Sequence, residues 1–256
     1  LRHADTEDAG NDMHLTALPP RRPRIPLRAL ARDTSGLALL EFALSLPMLL
    51  GMGMYAIEAT NLALTHLKVN QIALNLADNA SRVGATNNLS IQQVREWDMN
   101  DIIQAARLQG AGIKLTTNGR VIISSLENVQ QSYDTTPTQR IHWQRCVGLK
   151  TGAGYDSSYG TTSTTAGTDA TSGNKGTNAY TGMGDPTARV SAPAGSGVMF
   201  VELNYRYQPL VSHYFVGNPR LHYVASFAVR SDKRDYTQIY NPTPTATRST
   251  CDKYTS

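Results

Sequence analysis

Residues 35–44 read Ser-Gly-Leu-Ala-Leu-Leu-Glu-Phe-Ala-Leu, SGLALLEFAL. An aliphatic run starts directly after Gly36, and one carboxylate, Glu41, stands inside it. From Leu37 to Ile57 Glu41 is the only charged residue. As a helix this stretch would be roughly 31 Å long at 1.5 Å per residue, the thickness of a bilayer core. The competing reading is a buried core helix, but such helices seldom run this far without a polar face. Pro47 inside the run is costly in a soluble helix and better tolerated in a membrane one. Gly51, Gly53 and Ala56 read either as a small-residue face for close helix packing or as a merely flexible stretch.

Arg21, Arg22, Arg24, Arg28 and Arg32 precede the run. Positive residues stay cytoplasmic, which places the N-terminus inside and the long remainder outside. A secretory signal peptide is the rival, but Glu58-Ala59-Thr60-Asn61 lacks a small-residue cleavage pattern, so the run reads as a retained anchor. Pro19, Pro20, Pro23 and Pro26 oppose a helix before it. Glu41 reads as an interfacial or helix-start acid, or as one half of a charge pair made in an assembly.

The glycine, four apolar residues, glutamate and phenylalanine resemble the processing signature of type IV prepilins and pseudopilins. Glu41, Phe42, Ala43, Leu44 and Pro47 are similar to the E-F-A-L-x-x-P core of TadE-type pseudopilins of the Tad (tight adherence) pilus. The resemblance implies several things. A prepilin peptidase would cut between Gly36 and Leu37, making 1–36 a leader. Glu41 and Phe42, with Pro47, would serve recognition and assembly, Glu41 pairing with a neighbouring subunit's new amino terminus. Partners would be the inner membrane, that peptidase and other Tad pilins, pseudopilins and the assembly platform. The phrases RVIISSLENV, IHWQRC and VMFVELNYRYQPL also resemble the outer domain of these proteins.

Beyond the run, Leu62, Val69, Ile72, Leu76, Ala80 and Val83 keep helical spacing, predicting an amphipathic continuation over 58–84 with Gly84 as its C-cap. A second helix is expected at Ser90–Gln109, begun by a Ser90/Gln93 capping box, with Ile91, Val94, Trp97, Ile102 and Ala105 inward. Strands are predicted at 119–126, 139–147, 198–208 and 221–229, with Ile141, Trp143 and Arg145 on one face. The expected fold class is α+β: a long N-terminal transmembrane and amphipathic helix packed on a small antiparallel sheet, pilin-like as the resemblance implies. The outer domain covers 85–240, and 241–256 forms a C-terminal tail.

Residues 148–197 are rich in Gly, Thr, Ser and Tyr and almost free of aliphatics, which predicts a long, flexible, exposed insertion. Tyr155, Tyr159 and Tyr180 give it an alternative use as a surface- or sugar-contacting loop. Cys146 and Cys251 favour an internal disulfide outside the cytoplasm, against free thiols or an intermolecular bond. Arg230, Asp232, Arg234 and Asp235 read as a solvated ion-pair patch. His213 and His222 read as structural.

The net charge of +4 is modest and forms no long basic stripe past the arginine cluster, so no nucleic-acid partner is expected. Neither G-x-S-x-G nor H-E-x-x-H occurs, no Cys/His metal spacing is present, and no cofactor or enzymatic activity is expected. The functional expectation is a minor pseudopilin-like component of a Tad-type pilus assembly or secretion system, single-pass, with its C-terminal domain periplasmic. The alternative is an uncleaved membrane-anchored periplasmic adhesin or carbohydrate-binding module, for which the SGLALLEFAL signature has no use.

Overall fold

The computed structural model describes residues 36–84, 91–231 and 233–256. The arginine cluster, the prolines before the run, Ser90 and Asp232 lie outside them. The chain divides into two units, Leu1–Leu50 and Gly51–Ser256. One helix, α1, runs Leu37–Arg82 with Pro47 inside it.

In the larger unit, α2 (Glu96–Gly110) and a short α3 (Leu115–Asn118) precede a five-stranded antiparallel sheet. Its strands are β1 (Gly119–Val129), β2 (Thr138–Val147), β3 (Thr177–Asn178), β4 (Ser196–Arg206) and β5 (Arg220–Ala228), with α4 (His213–Val216) between the last two. The spatial order is β3-β2-β1-β4-β5. The fifth strand, β3, comes from within the segment expected to be an open insertion.

One face of the sheet packs on the helices. Val69, Ile72, Leu76 and Ala80 of α1 and Met99, Ile102, Ile103 and Ala106 of α2 meet Val121, Ile123, Trp143, Met199, Val201 and Leu203. The α1 residues are those the helical spacing selects, with Leu62 and Val83 packed at the margin. Pairing of β1 with β2 passes from Ser125↔Trp143 to Leu126↔Ile141, so His142 is skipped. This bulge puts one extra residue on β2 and breaks its alternation. Trp143 therefore joins the helix-side core while Ile141 joins the opposite cluster with Leu126 and Phe200, correcting the expectation that both share a face.

Helix α2 starts later than expected because Gln92 and Arg95 are held extended, bridging Arg234 and Tyr240. The box at its start is formed by Asp98, whose carboxylate accepts the N–H of Arg95 at 2.9 Å. The shifted phase leaves Trp97 49% exposed, with its ring N–H donated to the carbonyl of Pro244. Ile91 is likewise exposed and Ala105 only partly covered.

Segment 148–197 lies folded on the other face of the sheet, and more than half of its residues are exposed, as its composition predicts. Ala166, Met183 and Ala192 are buried. Its anchorage is polar. Gln144 donates to the carbonyl of Gly160 and accepts the N–H of Thr162. Gln139 donates to the carbonyl of Ala179 and accepts the N–H of Ala192. Glu202 accepts from the Ser157 hydroxyl and the Ser158 N–H, and Asn204 donates to the carbonyl of Tyr155. Gly176 has a φ of +82°, and a Cβ there would stand 2.2 Å from the carbonyl oxygen of Ile141. A residue without a side chain is what lets the segment come so close to β2.

The tail is also built in. A disulfide joins Cys146 to Cys251, and the N–H groups of Cys146 and Gly148 donate to the carbonyls of Ser249 and Thr255. Arg120, fully buried, donates to the carbonyls of Gly148, Cys251 and Lys253 and lies 4.2 Å from the Tyr254 ring centre. Arg234 is only 6% exposed, not solvated. It donates to the carbonyls of Ala80 and Ser81, near the C-terminal end of α1, and of Val83 just past it, where carbonyls lack partners within the helix. Arg230 does fit the expected surface pairing, lying 2.9 Å from Asp78.

Candidate functional site

Helix α1 begins at the residue after Gly36, and the N–H of Leu40 donates to the Gly36 carbonyl at 3.1 Å. The Gly36–Leu37 peptide bond is thus the junction into the helix. Among the described residues, a Cβ built on Gly36 would meet nothing within 4 Å. Leu37, Leu39, Leu40, Phe42, Leu44, Met48, Leu49 and Leu50 are all exposed. Glu41 is exposed too, and among the described residues it has neither a hydrogen bond nor an ion pair.

The apolar exposure continues from Met52 to Ile57, and Gly51 and Gly53 likewise have nothing near a built Cβ. The first half of α1 is long and apolar enough to cross a membrane, and none of its apolar window is buried. Leaving so many large side chains in water would be costly, so this surface calls for an apolar environment. Past the run, Leu64, Leu67 and Leu74 stay exposed at spacings that put them on one helix face. That face lies outside the buried stripe of Val69, Ile72 and Leu76.

Where the apolar run ends, an acid is buried. The Glu58 carboxylate accepts the Tyr207 hydroxyl and the N–H groups of Leu210 (3.2 Å), Val211 (2.7 Å) and Ser212 (3.4 Å). Burial alone would raise its pKa, but these donors outweigh that and hold it below the ordinary 4.5. The same environment pushes the Tyr207 hydroxyl up to about 12, through its own burial and the adjoining carboxylate. Asn61 donates to the Tyr207 oxygen, completing the group. Sequence reading passed over Glu58 as the residue ending the run. The available signal was an acid at that boundary and a Pro-Leu-Val-Ser loop far along the chain, with nothing local to link them.

The outer domain holds further buried charges. Arg145 clamps the carboxylate of Glu96, and Arg248 from the tail approaches the same oxygen pair at 3.2 Å. His142 Nδ1 lies 2.8 Å from Glu127, which also accepts the Ser125 hydroxyl. This Ser-Glu-His chain is buried and puts the carboxylate between the other two groups, so the imidazole bonds the acid and not the serine hydroxyl, unlike the Ser-His-acid order. Burial raises the pKa of Glu202 despite the two serine donors. Among the described residues no cluster of His, Cys, Asp or Glu could hold a metal ion. A pocket of about 290 Å³ beside the disulfide is lined by Arg120, Gln144, Asp156, Thr161 and Tyr254, but its arginine is already committed to three carbonyls.

Two of the tyrosines named for the alternative contact loop stand in different surroundings. Tyr159 packs edge-on against Phe200 and donates to Asp185, whereas Tyr180 is exposed. His222 donates from Nδ1 to the Asn204 amide oxygen, 2.7 Å away, within the sheet's polar face. Comparison with protein-family models, curated proteins and solved structures finds no match.

Proposed function

We propose that this protein is a membrane-anchored, pseudopilin-like assembly component of a Tad-type pilus or related secretion system, acting by helix association rather than by catalysis. The observation that carries the reading is the start of α1: a glycine at the helix junction, then an exposed apolar helix holding one acid, Glu41, that has no partner among the described residues. A lone ionised carboxylate in hydrocarbon is strongly disfavoured unless it acquires a partner. Cleavage after Gly36 would create an amino group at Leu37, and Glu41 would then be the natural acceptor for the amino terminus of an adjacent subunit. Phe42 and Pro47 belong to the same segment and would shape the contact. The open surface at Gly53, one turn before Ala56, suits close helix packing, and the Leu64, Leu67, Leu74 face continues the same side of the helix beyond the membrane. In this reading the N-terminus is cytoplasmic, the sheet domain is periplasmic, and the partners are the inner membrane, a prepilin peptidase and other pilin-like subunits.

The test is in-membrane cross-linking of the full chain with a photoreactive residue at Leu44. Adducts with a second copy or with an identified pilin-like subunit, lost in Glu41→Ala, are expected. Adducts with lipid alone, unchanged by Glu41→Ala, would leave a simple anchor and overturn the assembly role.

A further inference from the structure

Between β4 and α4 the chain Pro209–Ser212 carries Leu210, 70% exposed, and Val211, also exposed, and α4 adds Tyr214, 88% exposed. Three large side chains of one short connection are turned to solvent while its backbone is tied inward. The N–H groups of Leu210, Val211 and Ser212 all converge on Glu58. Phe215 packs edge-on against Tyr55, ring centres 6.3 Å apart. Ser212 caps α4 by accepting the N–H of Tyr214 at 3.2 Å. The protrusion is therefore held firmly against the turn of α1 in which the apolar run ends.

We propose that the segment Pro209–Val216 is a second membrane contact, seated in the headgroup layer of the bilayer that α1 spans. The inference rests on the anchor reading of α1. Tyr55 and Glu58, the residues the segment grips, close the apolar run, so the segment lies at the level where that run meets the interface. Its composition suits that place. Leucine and valine enter the acyl boundary, tyrosine prefers the headgroup level, and no acid occurs from Pro209 to Arg220 to oppose anionic lipid. Glu58 faces the protein's own donors and so escapes contact with hydrocarbon. The contact gives the sheet domain a second point of attachment, fixing its tilt and rotation on the membrane, which a single helix does not do.

The test uses the full chain in vesicles of phosphatidylethanolamine and phosphatidylglycerol, with an environment-sensitive fluorophore on one introduced cysteine. Sites are Val211→Cys, Leu210→Cys, Leu44→Cys in the span and Tyr180→Cys on the exposed part of the 148–197 segment. A nitroxide lipid labelled near the headgroup should quench the 210 and 211 probes about threefold more than the 180 probe, and iodide should reach them less. Probes at 210 and 211 that match 180 in both quenchers, with 44 shielded from iodide, would overturn the contact and leave the anchor intact. A probe at 44 as open to iodide as the 180 probe would overturn the anchor itself, whatever 211 reports.

Discussion

Replacing Glu96 by leucine should be among the most damaging single changes in the outer domain. Glu96 is 0% exposed and its carboxylate is gripped by Arg145, whose side chain is 2% exposed and whose Nε lies 2.8 Å from the second oxygen. Without the acid, Arg145 keeps one hydrogen bond, to the carbonyl of Gln144, and the face of the Trp143 ring 5.7 Å away, and no anion balances its buried charge. Breaking a buried pair in this way costs about 3–5 kcal/mol. For a unit of this size that is a fall in Tm of about 6–20 °C. Arg248, 39% exposed at its side chain, softens the loss only slightly, and Arg248→Ala alone should cost about 0–1 kcal/mol. The double variant Glu96→Leu with Arg145→Met removes both charges and should recover most of the stability, because apolar replacements of similar volume are often neutral. Urea unfolding of the full chain in detergent, followed by fluorescence, gives all four values. A Glu96→Leu loss below about 1 kcal/mol, or a double variant no better than the single, would refute the claim that this pair is desolvated.

Three further outcomes are expected. Replacing both cysteines by alanine releases a closure spanning 105 positions and should cost about 4–5 kcal/mol on chain-entropy grounds, read as a lower urea midpoint that matches reduced wild type. Because the Glu58 pKa is depressed, its stabilisation is present above the unfolded value of 4.5 and is lost as pH falls through the folded pKa. Glu58→Gln should therefore be less stable than wild type at neutral pH, and the gap should close in acid; a gap constant with pH would contradict the clamp. Gly176→Ala should loosen segment 148–197, since its φ of +82° and the 2.2 Å approach to Ile141 both exclude a side chain, and limited proteolysis should then cut a segment that wild type protects.

What the sequence revealed was what repeats along one element. The spacing of Val69, Ile72, Leu76 and Ala80 selects the buried stripe of α1, and the alternation of Met199, Val201 and Leu203 selects the helix-side face of β4. What it hid depends on two elements at once. The skipped His142 exists only in the pairing of β1 with β2, so no local pattern separates Ile141 from Trp143. The 148–197 segment lacks aliphatics, yet Gln139, Gln144, Glu202 and Asn204 on the sheet supply the polar partners that order it. Trp97 follows helical spacing, but the extended pairing of Gln92 and Arg95 shifts where α2 starts and turns it outward. Arg234 looks solvated in a charged run and is instead spent on the end of α1. At the candidate site, the glycine, the acid and the apolar run were all legible, while the partners of Glu58 lie about 150 positions away in sequence.

The most direct measurement is the N-terminus and intact mass of the membrane-extracted protein, with and without a co-expressed prepilin peptidase. The account predicts a new N-terminus at Leu37, with Glu41 the fifth residue of the processed chain, and its loss in Gly36→Val. A chain that keeps residues 1–36 beside an active peptidase would contradict processing and leave Glu41 as an interfacial acid on a plain anchor.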